Sequence, residues 1–114
     1  MYSFTKSQRL LKKSDYDAVF KKAKKIGSIS FTLLCHTNML GHARLGLIIP
    51  KRTVNKAHNR NRIKRLIREQ FRLKENLPAF DIIVLAKNGA DKIEQSLLID
   101  QLETIWNKLS VLRA

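Results

Sequence analysis

A chain of 114 residues, 44% hydrophobic, has enough length and apolar content for one folded domain over 1–114, which excludes global disorder. Its formal net charge of +14 narrows the partners to polyanions: nucleic acid, an anionic membrane or an acidic protein. A single cysteine, Cys35, rules out an internal disulfide, and no apolar run reaches bilayer length, so a soluble cytoplasmic protein is expected.

The elements follow in chain order. Ser14 with Asp17 resembles a capping box. Tyr16, Val19, Phe20 and Ala23 recur at helical spacing behind it, predicting a first helix over 15–24 that Gly27 ends. Phe31 to Cys35 reads as a strand, Asn38 to His42 as a turn, and Ala43 to Ile49 as the hairpin partner. A basic helix comes next, with Thr53 or Asn55 as its cap and Ile63, Leu66, Ile67 and Phe71 as its buried stripe. Phe80 to Ala86 is nearly continuous in apolar residues, which suits a central strand buried on both faces. A last amphipathic helix starts near Asp91 or Lys92, with Leu98, Leu102, Ile105, Leu109 and Leu112 on its core face and Trp106 alongside. The order predicts an α/β two-layer sandwich, a small mixed sheet of about four strands packed by helices.

Charge is concentrated in the first 74 residues, which carry 19 bases and 3 acids; residues 75–114 carry 4 and 6. Residues 51–74 alone hold ten bases against Glu69, an imbalance that a solvated helix built on i,i+4 ion pairs would not show. On a helical wheel Asn61, Arg65, Arg68 and Arg72 lie opposite the stripe, while Arg60, Arg62 and Lys64 flank it. Planar Arg forks grip phosphate bidentately, so this ridge suits a folded RNA. A second basic cluster, Lys6 to Lys25, is interleaved with Phe4, Tyr16 and Phe20. Such rings stack unpaired bases in single-stranded RNA, although i,i+4 spacing equally describes core contacts of the first helix.

Catalytic and metal chemistry find little footing. Asp15 and Asp17 point apart on a helix, and Cys35 and His36 face opposite sides of a strand. His42 and His58 stand alone, without zinc-type spacing. The polypeptide does not read as an enzyme by itself, and a structural RNA-binding protein, ribosomal or RNA-folding, fits the same ridge.

The run from Ala57 to Glu69, AHNRNRIKRLIRE, closely resembles the signature of the bacterial ribonuclease P protein subunit. Ser3-Phe4-Thr5, Arg9-Leu10, Asp15-Tyr16, Val19-Phe20, Arg44 to Leu47 and Phe80 to Val84 resemble flanking motifs of that family in the same order. The resemblance implies a ribonucleoprotein endonuclease that removes 5′ leaders from precursor tRNA. Its RNA subunit, with Mg²⁺, performs the hydrolysis, and its protein binds that RNA one to one, holds the leader and broadens substrate choice. It also implies three helices on the sheet and an unusual left-handed βαβ crossover, against the usual hand. By position, Arg60, Asn61, Arg62, Lys64, Arg65 and Arg68 would contact the catalytic RNA. Tyr16 and Phe20 would line the leader groove, with Lys51 nearby. Leu34 departs from the pattern, standing where some members carry a further groove aromatic.

Overall fold

The computed structural model describes residues 4–74 and 77–112, so Ser3 lies outside the described residues. The helices are α1 (Lys13–Lys22), α2 (Ala57–Leu73) and α3 (Gln95–Ser110); the strands are β1 (Lys24–Gly27), β2 (Phe31–Thr37), β3 (Arg44–Ile48) and β4 (Phe80–Ala86). Single 3₁₀ turns occupy Lys6–Gln8 and Ala90–Lys92.

The strands form one mixed sheet in the order β1-β2-β4-β3. As its apolar run predicts, β4 is central; of its seven residues only Leu85 is less than buried. It pairs antiparallel with β2 and parallel with β3. The expected hairpin between 31–35 and 43–49 is therefore wrong, because β4 is inserted between them. The parallel register sets Arg44 beside Asp81, so an ion pair across the ladder helps select β4 as the neighbour of β3. β3, α2 and β4 thus form a parallel βαβ unit, with α2 as its crossover.

The first helix starts and ends two residues earlier than expected, and Lys24–Gly27 is a strand. Its residues pair antiparallel with β2, and Ile26 packs against the core while Lys24 and Lys25 are exposed. Lysines suit an edge strand, and they also hide it from hydrophobic pattern reading. The start of α1 is capped by Asp15, whose Oδ2 accepts the Lys12 backbone N–H at 3.2 Å, rather than by a Ser14–Asp17 box.

Strand alternation separates two apolar clusters. Phe31, Leu33, Cys35, Leu45, Ile82 and Val84 meet the buried faces of α2 and α3. Ile63, Leu66, Ile67 and Phe71 dock α2, as its periodicity requires, and Leu98, Leu102, Ile105 and Leu109 dock α3. Trp106 is wholly buried rather than alongside, edge-on to Phe71. Ile83, on the opposite face, meets Val19 of α1 and Leu10. One face of the sheet is thus fully covered, and α1 crosses only part of the other.

Two helix starts differ from expectation. The residue before α2 is Lys56, because Thr53 donates its hydroxyl to Pro50 O (3.0 Å) and Asn55 lies within the loop. The 3₁₀ turn at Ala90–Lys92 delays α3 to Gln95.

Candidate nucleic-acid interface

The α2 stripe turns its opposite face outward, leaving Asn61, Arg65 and Arg68 exposed. The flanking arginines are partly committed within the protein. Arg60 Nη1 donates to the carbonyls of Val54 (3.0 Å) and Asn55 (2.7 Å), closing the loop before the helix. Arg62 Nη2 reaches the carbonyl of Asp91 at 3.3 Å. Each guanidinium has further donors, but part of each fork braces the fold. Arg72 pairs with Glu69, one turn earlier, and its guanidinium holds the Glu69 carboxyl below the ordinary range.

The amino-terminal segment enlarges this ridge. Arg9 lies 5.1 Å above the Phe4 ring and donates to the Phe4 carbonyl at 2.9 Å. Phe4 meets Phe71 of α2 edge to face, with centroids 5.6 Å apart. Arg9 thereby joins Asn61, Arg65 and Arg68 around a trough of about 390 Å³. In the sequence Arg9 falls among the amino-terminal lysines, and nothing in its own neighbourhood places it beside α2. The only signal was Phe4, whose partner lies on a distant helix.

On the other face of the sheet α1 divides its residues between two tasks. Val19 is wholly buried and supplies the core contact, whereas Phe20 is 47% exposed and Tyr16 is half-buried. The Tyr16 ring lies against the backbone of Gly46 in β3, where an added Cβ would sit only 2.7 Å from the ring. Leu34, in the sheet, is half-buried on the face that α1 partly covers. Beyond α1 that face opens into a groove of about 860 Å³ with an apolar floor at Leu34 and Leu85 and cations at Lys25, Arg52 and Lys87. Lys51, exposed, adjoins Arg52 in the same turn.

A polar cluster fixes α1 on the sheet. Arg44 donates from Nε and Nη2 to the two Asp81 oxygens at 2.8 and 2.7 Å, and Asn38 Nδ2 donates to Asp81 Oδ1 at 2.8 Å. Asp15 of α1 approaches the same guanidinium at 3.6 Å. Burial works against ionisation of Asp81, but the Arg44 fork and the Asn38 amide outweigh it and hold the carboxyl below its usual range. The Asp81 hydrogen bond raises the Arg44 pKa in turn. Because Asp15 precedes Tyr16, this cluster sets the height and rotation of the aromatic helix.

The remaining singled-out residues do not converge. Cys35 is buried and its thiol pKa is pushed up by that burial, while His36 points to the other face. His42 Nε2 lies 2.8 Å from Ser7 O, tying the β2–β3 turn to the amino-terminal segment, and His58 is exposed. Among the described residues no group of three His, Cys, Asp or Glu side chains gathers in metal-binding geometry. No described helix is long and apolar enough to cross a membrane.

Known proteins share both sequence and shape. The ribonuclease P protein from Legionella pneumophila (strain Corby) is 52% identical over 110 residues, covering 96% of each chain. That from Escherichia coli O157:H7 is 42% identical over 107 residues, 93% of this chain and 90% of its own. The Staphylococcus aureus RNase P protein structure superposes with a TM-score of 0.85 at 31% identity, over 95% of this chain and all of its own. The Thermotoga maritima protein gives 0.79 at 26%, over 93% and 98%. The Ribonuclease P family model matches residues 4–110, and with basic ridge, aromatic helix and sheet order all in place the chain belongs to the ribonuclease P protein family.

Proposed function

We propose that this chain, acting as a single domain, is the protein subunit of a cytoplasmic ribonuclease P. It binds one catalytic RNA through the outer face of α2 and the single-stranded 5′ leader of precursor tRNA through α1 and the open sheet face. The observation that carries this reading is the division of labour within α1, where Val19 fills the core and leaves the Tyr16 and Phe20 rings accessible among cations. Rings stack bases while Lys51, Arg52, Lys25 and Lys87 neutralise the backbone, a combination suited to unpaired RNA of any sequence. Asn61, Lys64, Arg65 and Arg68 contact phosphates of the catalytic RNA, and Arg60 and Arg62 do so with the donors they do not use internally.

Hydrolysis in this reading belongs to the RNA subunit and its Mg²⁺. Among the described residues no three acids gather into a Mg²⁺ cradle, and the acids nearest the grooves are already engaged. Asp15 caps α1 and faces Arg44, Asp81 is held by Arg44 and Asn38, and Glu69 by Arg72. The protein's contribution is to bind the leader, orient the precursor and neutralise phosphate charge, which lowers the Mg²⁺ concentration the RNA needs.

Reconstitution with a bacterial ribonuclease P RNA at low Mg²⁺ tests this. Added protein should accelerate cleavage of precursor tRNA, and protein without RNA should leave the precursor intact. No acceleration would sink the reading, and cleavage by the protein alone would move the catalytic centre into this chain.

A further inference from the structure

The groove between α1 and α2, at the outer edge of β3, belongs to neither surface alone. It measures about 380 Å³, within the range of small-ligand clefts, and is bordered by Tyr16 on one side and Lys64 and Arg68 on the other. Gly46 and Leu47 of β3 form its floor, with Arg9 at one end. Neither Lys64 nor Arg68 makes a hydrogen bond or ion pair with the described residues, so both cations are available to a ligand.

The floor is an unfinished strand edge. β4 occupies one side of β3, and the amino-terminal segment begins to cover the other: Arg9 bridges Leu45 in parallel, and Leu10 N–H donates to Leu45 O at 3.0 Å. The segment then leaves for α1 at Lys13. In a parallel ladder alternate residues turn both backbone groups to the same side. With Leu45 turned outward, Leu47 two residues on presents its N–H and C=O to the groove. A paired donor and acceptor matches the edge of a nucleobase, which also carries both.

Gly46 accounts for the ring beside that edge. An added Cβ would lie 2.7 Å from Tyr16 Cζ and from its hydroxyl oxygen, far inside the roughly 3.5–4 Å at which such atoms pack. Glycine is what allows the ring to lie down on β3 next to the Leu47 peptide.

We infer that this β3 edge is a one-nucleotide pocket: Tyr16, seated by Gly46, packs on the base, the Leu47 backbone bonds its edge, and Lys64 and Arg68 hold its phosphate. The inference rests on the RNA-binding reading above and adds a point where the aromatic helix and the basic helix hold the same nucleotide. An unpaired nucleotide of the leader and one of the catalytic RNA offer the same chemistry. A peptide strand would use the edge but leave the two cations unpaired.

Amide hydrogen exchange of the full-length protein separates these cases. In the free protein the Leu47 amide should exchange quickly and the Gly46 amide, turned to β4, slowly. Leu47 should slow about tenfold or more when its edge is bonded. Slowing with catalytic RNA alone assigns the nucleotide to that RNA; slowing only after precursor tRNA, and not leaderless tRNA, assigns it to the leader. Gly46→Ala should abolish the slowing at Leu47 while RNA still binds α2. Unchanged Leu47 exchange in the wild-type assembly overturns the pocket, whether or not Gly46→Ala folds. Leu47 protection that appears with protein concentration in the absence of RNA also overturns it, in favour of strand pairing between copies. If no assembly forms with the catalytic RNA, the underlying reading fails with it.

Discussion

Arginines that look equivalent along α2 differ in what they touch, and their substitutions should separate accordingly. Arg65 and Arg68 are exposed on the outer face, so Arg65→Ala or Arg68→Ala should each weaken association with the catalytic RNA and flatten its salt dependence by about one phosphate contact. Binding measured across a salt series checks this; an unchanged slope removes the residue from the interface. Arg60→Ala should instead cost stability, about 1–2 kcal/mol in a denaturant melt, because it frees the Val54 and Asn55 carbonyls. On α1, Phe20→Ala should weaken precursor tRNA binding by about 1–3 kcal/mol and leave leaderless tRNA nearly unaffected. Equal losses for both substrates would return the ring to a packing role. The sequence names these residues but not their division. Arg60 and Arg65 differ by five positions on one helix, and only the loop at 50–55, folded back under the helix start, decides that the first is a brace.

Periodicity makes an element legible when its burial is one-sided or complete. The α2 stripe, the apolar run of β4 and the α3 leucines are all readable for that reason, and each lies where its pattern places it. β1 is not readable, since two of its four residues are edge lysines, and the partner of β3 is not, since parallel pairing is decided far along the chain. What secures that pairing is the Arg44–Asp81 contact, and it should be pH dependent. The folded pKa of Asp81 lies below its ordinary value, so its stabilisation is present above the ordinary carboxylate range and is lost as pH falls through the folded pKa. Asp81→Asn should therefore destabilise the protein near neutrality by about 1–3 kcal/mol. The gap from wild type should narrow in acid. Melts at a series of pH values would show it, and a constant gap would mean that the ion pair is not its source.

The whole molecule is electrostatically lopsided. Basic surfaces formed by the first 74 residues carry the grooves, while α3, with Asp100 and Glu103 exposed, covers the remaining side. Self-repulsion among like charges opposes the compact state, so bound anions should favour it. The melting midpoint should rise in sulfate relative to chloride at equal ionic strength. An identical midpoint in both salts would show that the +14 charge is already balanced within the fold. Sheet order has a consequence of another kind, for a chain emerging from the ribosome. β1 and β2 can pair as soon as they appear, but β3 has only the short Arg9–Leu45 bridge to the amino-terminal segment, because the strand between it and β2 is the last strand synthesised. Until β4 is out, α2 is an amphipathic basic helix with no sheet to cover its apolar stripe. Nascent α2 is thus exposed, beside the RNA of the ribosome itself, before the surface that disciplines it exists. Completion of the sheet waits on a single late strand, and the pairing of β3 within it should be all-or-none in that strand's arrival.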